Sequence, residues 1–435
     1  MVRVKGAEHI FVTGASQLAR VHYFSSSLFR FNGQVSEWLK EPVSKTGKPV
    51  RVSRVRIPPC PCFLSLNFSA LCVFLRLPLS ASLLRSSAFI CGSIKASYSR
   101  GNSVRMQGID RFVGSFLGLC LGDALGAPVE AASPDVARLY VDQELRAGRA
   151  GHRGRGEFPF GQVTDDSQLT RELLISIAER READPAHFAS RLGDLVATKR
   201  VIGAGPATIA TGRRLQRGIP WNQAGEPAPY CGNGAAMRVA PLGVLWADDH
   251  PRFMRAVVEQ ARVTHHDPRC AAGAVAIAAA SMLASRSDRL DPHEVCTELA
   301  RLASQVDTGL AAAIEKVERL VAMDPEQATA LVHRERPEAE SSHKWLGVSS
   351  EVTGSVCWSL YAFLRSPDDY WETVCTAIGA GGDTDTTAAM AGGIVGARVG
   401  LKGLPQELLA RLNDQGEWRV AELTTLAQRC YEACR

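Results

Sequence analysis

Two carboxylates and three hydroxyls fall within five residues at Asp383-Thr384-Asp385-Thr386-Thr387, framed by Gly381 and Gly382 and followed by a small-residue apolar run over 388–400. One reading is a helix N-terminus, where Asp and Thr oxygens satisfy the free N–H groups of a first turn. Capping needs one such residue, whereas Asp383, Asp385 and Thr386 all offer oxygen on one short turn. Hard cations such as Mg²⁺, Mn²⁺ or Ca²⁺ take that kind of oxygen cluster. An EF-hand is excluded: counting from Asp383, the sixth position is Ala388 instead of Gly and the twelfth is Ile394 instead of Glu. A second oxygen-rich turn, Thr164-Asp165-Asp166-Ser167, opens another expected helix far upstream, and the chain reads as organised to bring the two turns together.

Three further groups carry candidate chemistry. Gly122-Asp123-Ala124-Leu125-Gly126 runs on to Glu130, placing two acids in an apolar, turn-like setting; surface acids flanking a helix end are the plainer reading. Tyr230-Cys231-Gly232-Asn233-Gly234-Ala235-Ala236-Met237-Arg238 puts small residues at a helix start, where exposed N–H groups suit an anion such as a diphosphate. A simple tight turn explains the same residues. No Walker sequence and no strand-linked GxGxxG accompanies it, which argues against nucleotide binding of those two types. Thr264-His265-His266-Asp267 offers imidazole and carboxylate ligands, although a helix C-terminus also favours His as a plain dipole partner.

The elements that would hold these groups read as helices. Over 107–126, Ile109, Phe112, Val113, Phe116, Leu117, Cys120 and Leu121 recur at helical spacing, and Gly114, Gly118 and Gly122 permit close helix contact. A Gly-rich loop over 148–161 precedes an amphipathic helix over 168–181. Further helices are expected over 185–200, 206–217, 235–247, 251–263, 292–304, 308–323, 325–332, 352–364, 370–378, 405–413 and 420–434. Residues 270–284 form an uncharged, Ala-rich run of 15, short for a membrane span and suited to a buried core helix. No period-2 run of useful length and no repeat of 20–50 residues appears. The expectation is one all-α domain over 106–435.

The first 105 residues differ. They carry 15 Lys and Arg against Glu8, Glu37 and Glu41, a net +12, and the remaining 35 basic and 42 acidic residues leave the body at −7. The overall +5 is therefore no sign of nucleic-acid binding by the main body. The acid-poor stretch lacks helical or strand periodicity and any uninterrupted apolar span, and it is expected to be an unstructured extension. Its run from Val35 to Pro42 and from Arg51 to Pro59 resembles the conceptual translation of a transfer-RNA gene, so native synthesis is expected to begin at Met106. Four of the twelve cysteines lie there; the other eight are scattered singly, as buried thiols of a reducing, cytoplasmic protein would be. A monomer that engages neither nucleic acid nor membrane is expected.

Gly122-Asp123-Ala124-Leu125-Gly126 with Glu130, Thr164-Asp165-Asp166-Ser167, the Cys231–Arg238 loop, Thr264-His265 and Gly382-Asp383-Thr384-Asp385-Thr386 together resemble the motifs of the ADP-ribosylglycohydrolase family, in order and rough separation. The resemblance spans 108–430. It implies a compact orthogonal helical bundle with two Mg²⁺ or Mn²⁺ ions in a cleft. Thr164, Asp165 and Asp166 would be one set of ligands, and Asp383, Asp385 and Thr386 the other. Glu130 would stand near the reacting ribose, with Asp166 and Asp383 also in the catalytic set. Gly232, Asn233 and Gly234 would cradle the diphosphate, with His265 close to the ligand. Ser167 stands where Thr is commoner and keeps the hydroxyl. The implied reaction releases ADP-ribose from a modified protein or a small ADP-ribosyl substrate, with arginine the first expectation for the linkage. Serine-linked ADP-ribose, O-acetyl-ADP-ribose and poly-ADP-ribose are alternatives, and 222–229 and 335–346 are the stretches expected to gate that choice. Helix dipoles would keep the aspartates ionised. Two rival readings are a two-metal phosphohydrolase using His265, His266 and Asp267, and a binding protein that has lost turnover; the intact ligand positions and Glu130 favour an enzyme.

Overall fold

The computed structural model describes residues 108–334 and 346–435, and two short strands nearer the N-terminus. The chain divides into two units, Met1–Lys95 and Ala96–Arg435. In the first, β1 (Phe11–Thr13) pairs antiparallel with β2 (Arg20–His22), Phe11 opposite His22. The other expectations for 1–105, and the gating stretch up to residue 345, lie outside the described residues.

The described part of the second unit is helical, as expected, with only isolated bridges between loops. Its helices are α1 (108–126), α2 (Pro134–Tyr140), α3 (Asp165–Arg180), α4 (Pro185–Ala197), α5 (Pro206–Gln216), α6 (Trp221–Ala224), α7 (Ala240–Leu245), α8 (His250–Arg262) and α9 (Pro268–Arg286). They continue as α10 (Pro292–Ala303), α11 (Thr308–Val321), α12 (Pro325–Arg334), α13 (Val352–Arg365), α14 (Tyr370–Gly379), α15 (Thr384–Val399), α16 (Gln406–Leu409) and α17 (Val420–Ala433).

Most helix starts are written into the sequence. Asp184, Asp249, Asp267, Asp291, Asp307 and Asp369 each accept a backbone N–H from the turn they precede, and a proline follows closely in four cases. The core is built on α1, α9, α13 and α15, which bury residues on all sides. Both α1 and α9 are long and apolar enough to span a bilayer, yet each is mostly buried within the fold.

One seam determines where the chemistry sits. Helices α1 and α15 run antiparallel, with Gly114 against Gly396, Gly118 against Gly392, Gly122 against Ala388 and Gly126 against Thr384. A Cβ on any of these four α1 glycines would overlap backbone atoms of α15. The two backbones therefore touch along the whole contact, and the C-terminal end of α1 lies against the first turn of α15.

Two expectations fail locally, and one helix was not expected. The helix read over 235–247 is a 3₁₀ turn at Asn233–Ala235 followed by α7, because Pro241 has no N–H to donate and sets a first turn starting at Ala240. The helix read over 405–413 is only α16; the chain then turns through Gln415, Gly416 and Trp418, all at positive φ. A helix goes unread at α2, continued by a π-helical stretch Val141–Arg149, although Ser133 before Pro134 is a cap signal, and Ser133 does accept the Val136 N–H.

Candidate active site

Four segments meet at the end of the glycine seam: the tail of α1 with Glu130 beyond it, the first turn of α3, the 346–351 loop, and the first turn of α15. Backbone bonds stitch them. Ala131 N–H donates to Gly382 O at 2.7 Å and Gly382 N–H to Ala132 O at 2.8 Å. Asp383 N–H donates to Val348 O at 2.7 Å, and Thr384 Oγ1 to Gly126 O at 2.9 Å. Gly381 and Gly382, at φ 67° and 81°, press on neighbouring backbone where no Cβ fits.

The two oxygen-rich turns carry capping residues that do not cap. Neither Thr164 before α3 nor Asp383 before α15 makes a side-chain cap bond. The cap of α3 comes from another helix: Asp123, fully buried on α1, accepts the N–H groups of Thr164 and Ser167 (2.9 and 3.2 Å) and both their hydroxyls (2.8 and 2.5 Å). Asp383 instead accepts Asn233 Nδ2–H at 2.7 Å. With their helix ends served elsewhere, Asp165, Asp166 and Asp383 are released from the role that the plainer reading gave them.

Thr164, Asp165, Asp166, Asp383, Asp385 and Thr386 are all buried, at 0–7% exposure. Burial, then repulsion among neighbouring carboxylates, pushes Asp165, Asp166 and Asp383 well above the usual carboxylate range. The same two causes raise Asp123 and Glu130 to about 7. Without a bound cation, burial and like charge thus act on Asp165, Asp166 and Asp383 against the ionising effect expected of the helix dipoles.

The donor chemistry fits a hard cation. Asp166 Oδ1 is buried without a hydrogen-bond partner, while its Oδ2 lies 3.1 Å from the Thr164 hydroxyl oxygen, whose proton is directed to Asp123. Among the described residues no three carboxylate, imidazole or thiolate side chains gather as one ready-made site, so a cation would draw on hydroxyls and on both turns.

The glycine loop stands beside this cluster. Asn233 links the two, its N–H donating to Ser350 O at 2.9 Å and its side chain to Asp383. Arg238 braces the loop from beneath: fully buried over the Phe188 ring, it donates to Gly234 O, Gln260 and Thr264 Oγ1. It therefore serves as scaffold, and burial lowers its pKa to about 9. His265 lies against Gly232 and Gly234 and stacks on Tyr230, with ring centroids 5.7 Å apart. Burial and Arg238 lower His265 to about 3, which makes it neutral at physiological pH. Because Arg238 donates to Thr264 Oγ1, that hydroxyl can give its proton to His265 Nδ1 at 2.8 Å, leaving Nε2–H facing the loop.

The rival histidine site does not assemble. Asp267 caps α9, and both its oxygens take Arg269. Sequence reasoning also missed Arg155, which ion-pairs with Glu130 from an unpatterned loop, and the capping role of Asp123.

Carboxylates gathered at the ends of packed helices are the equipment for attack on a sugar–heteroatom bond, and the protein is a glycosyl hydrolase. It belongs to the ADP-ribosylglycohydrolase family, whose model matches residues 105–435. A protein of Archaeoglobus fulgidus, itself uncharacterized, is 31% identical over 325 residues, 74% of this chain and 96% of the relative. The ADP-ribosyl-[dinitrogen reductase] glycohydrolase of Rhodospirillum rubrum is 28% identical, over 70% of this chain and 90% of its own length. The ADP-ribosylarginine hydrolase Tri1 of Pseudomonas putida is 24% identical, over 70% and 75%. Among solved structures, an ADP-ribosylglycohydrolase-related protein complex matches with a TM-score of 0.55 and 27% identity, covering 76% of this chain and all of the other.

Proposed function

We propose that this ADP-ribosyl hydrolase cleaves the ribose C1″ bond of ADP-ribose attached to protein arginine, at a site holding two Mg²⁺ or Mn²⁺ ions. One observation carries the reading: the two helix-opening turns present more buried carboxylate than capping uses, Asp385 accepting the Thr386 N–H at 2.9 Å while neither N-cap side chain caps its helix and one oxygen of Asp166 has no partner at all. Thr164, Asp165 and Asp166 from one turn and Asp383, Asp385 and Thr386 from the other are the proposed ligands. Divalent cations supply charge and Lewis acidity to the ribose oxygens and to water. The chain's own groups do the rest. Asp123 holds the Thr164 turn and Asn233 holds Asp383, so both ligand turns keep their geometry without substrate. Glu130, at the rim and titrating near neutrality, carries the proton exchanged as the C1″ bond breaks. The backbone of Gly232 and Gly234, with the Nε2–H of His265, receives the diphosphate; Asn233 contributes by tying that loop to Asp383.

Arginine as the linked residue is supported by the Pseudomonas putida relative's name and by the surplus of carboxylate at the cleft, which suits a cationic guanidinium. A monomer at work in the cytoplasm, apart from nucleic acid and membrane, accords with the acidic body. The test is release of free ADP-ribose from an ADP-ribosyl-arginine protein by the full chain, with Mg²⁺ or Mn²⁺, with chelator, and in Asp383→Ala/Asp385→Ala. Release that needs metal and drops more than about 100-fold in the variant is expected. Release unaffected by chelator overturns the metal reading, and release only from serine-linked or O-acetyl substrates overturns the linkage.

A further inference from the structure

We infer that Arg155 is a positioning residue for Glu130, clamping its carboxylate at the rim of the cleft. The backbone of Glu130 is fixed from the other side. It ends the 3₁₀ turn Ala127–Val129, and the next residue, Ala131, sits at φ 64° with its N–H on Gly382 O, one residue from Asp383. The side chain has no such anchor in its own segment. Among the described residues, the guanidinium of Arg155 is the hydrogen-bond partner of its carboxylate, through Nη2 and Oε2.

The arginine is itself held in place. Its carbonyl accepts the Phe158 N–H at 3.0 Å, and the loop beyond is pinned where Val163 N–H meets Asn413 O and Asn413 N–H meets Gly161 O. Gly203, at φ 81°, leaves the room the guanidinium occupies; a Cβ there would overlap Arg155 Nη1. Both partners are about one-quarter exposed (25% and 23%), where an ion pair adds little to stability. Its effect is on orientation and charge. Burial first, then Asp385 and Asp123, push Glu130 toward its protonated form, and Arg155 opposes them.

The kinetic consequence rests on the hydrolase reading; the titration consequence does not. Arg155→Met and Arg155→Lys in the full chain are the variants, with Glu130→Gln serving to assign the carbon-13 signal of the Glu130 carboxyl. In metal-free protein, Arg155→Met is expected to raise the Glu130 titration midpoint by roughly one pH unit or more, and Arg155→Lys to recover most of the shift. In turnover, Arg155→Met is expected to lower kcat about tenfold with KM within about threefold, moving one limb of the pH–rate profile upward. A midpoint identical in wild type and Arg155→Met overturns the assignment. So does an equal kcat loss in both variants with a lowered melting temperature and an unmoved pH profile. If the wild type releases no ADP-ribose from any linkage, the hydrolase reading falls, and the carbon-13 midpoint still decides the role of Arg155.

Discussion

Asp123 shows how much a single residue can hold. One carboxylate with no solvent exposure takes two N–H and two O–H donors from the turn that carries Thr164, Asp165 and Asp166. In Asp123→Asn an amide nitrogen faces donors it cannot accept from, so destabilisation of roughly 2–3 kcal/mol is expected, read as a lowered melting temperature. The carboxylate cluster also fixes a pH dependence. Glu130 and Asp123 hold protons to about pH 7 in the fold, against ordinary values of 4.5 and 3.8. Folded values above unfolded ones mean stability that is fully present below about pH 4 and lost as pH rises through 7. In chelator the melting temperature should therefore be higher at pH 5.5 than at pH 8, and Mg²⁺ should remove the loss; a flat profile in chelator would refute this. His265 acts in the opposite sense. Its folded pKa of about 3 lies below the unfolded 6.5, so it contributes stability above 6.5 that fades as pH falls toward 3.

At the scale of elements, the glycine seam is the feature on which the site depends. Gly122→Val should destabilise by about 3 kcal/mol or more, because the new side chain meets the Ala388 backbone and no rotamer relieves it. The milder Gly126→Ala, at the edge of the site, should cost more in activity than in melting temperature, since it displaces Thr384 and Asp385 directly. Half of this seam was legible. Gly114, Gly118 and Gly122 recur every four residues in α1, and the partner run over 388–400 is visibly small, yet nothing in either stretch says that they pair. Asp-Pro pairs such as Asp184-Pro185 and Asp291-Pro292 mark helix starts locally, because caps are local chemistry. The 235–247 stretch misled because its small residues leave no stripe to read, and Pro241 was the better guide. Arg155 could not be found at all: it sits in a Gly-rich loop without period, and its partner is 25 residues away.

For the molecule as a whole, the division of the chain near residue 95 sets the scope of any fragment. A chain of residues 106–435 should melt within a few degrees of the full protein and keep its ADP-ribose release; a large drop would show that the leader segment supports the fold. The net −7 of the body also implies that residues 106–435 should not be retained on a nucleic-acid column at physiological salt. The antiparallel seam has one more consequence, for how the protein is made. The tail of α1 and the first turn of α15 are 258 residues apart where Thr384 meets Gly126. A ribosome delivers the first half of the site long before the second, and the contact that joins them is among the most non-local in the domain. Until α15 emerges, α1 is an apolar rod with an open groove of glycines, a segment for chaperones to guard. A chain truncated before Thr384 is therefore expected to release no ADP-ribose, which assay of a 1–380 fragment would check.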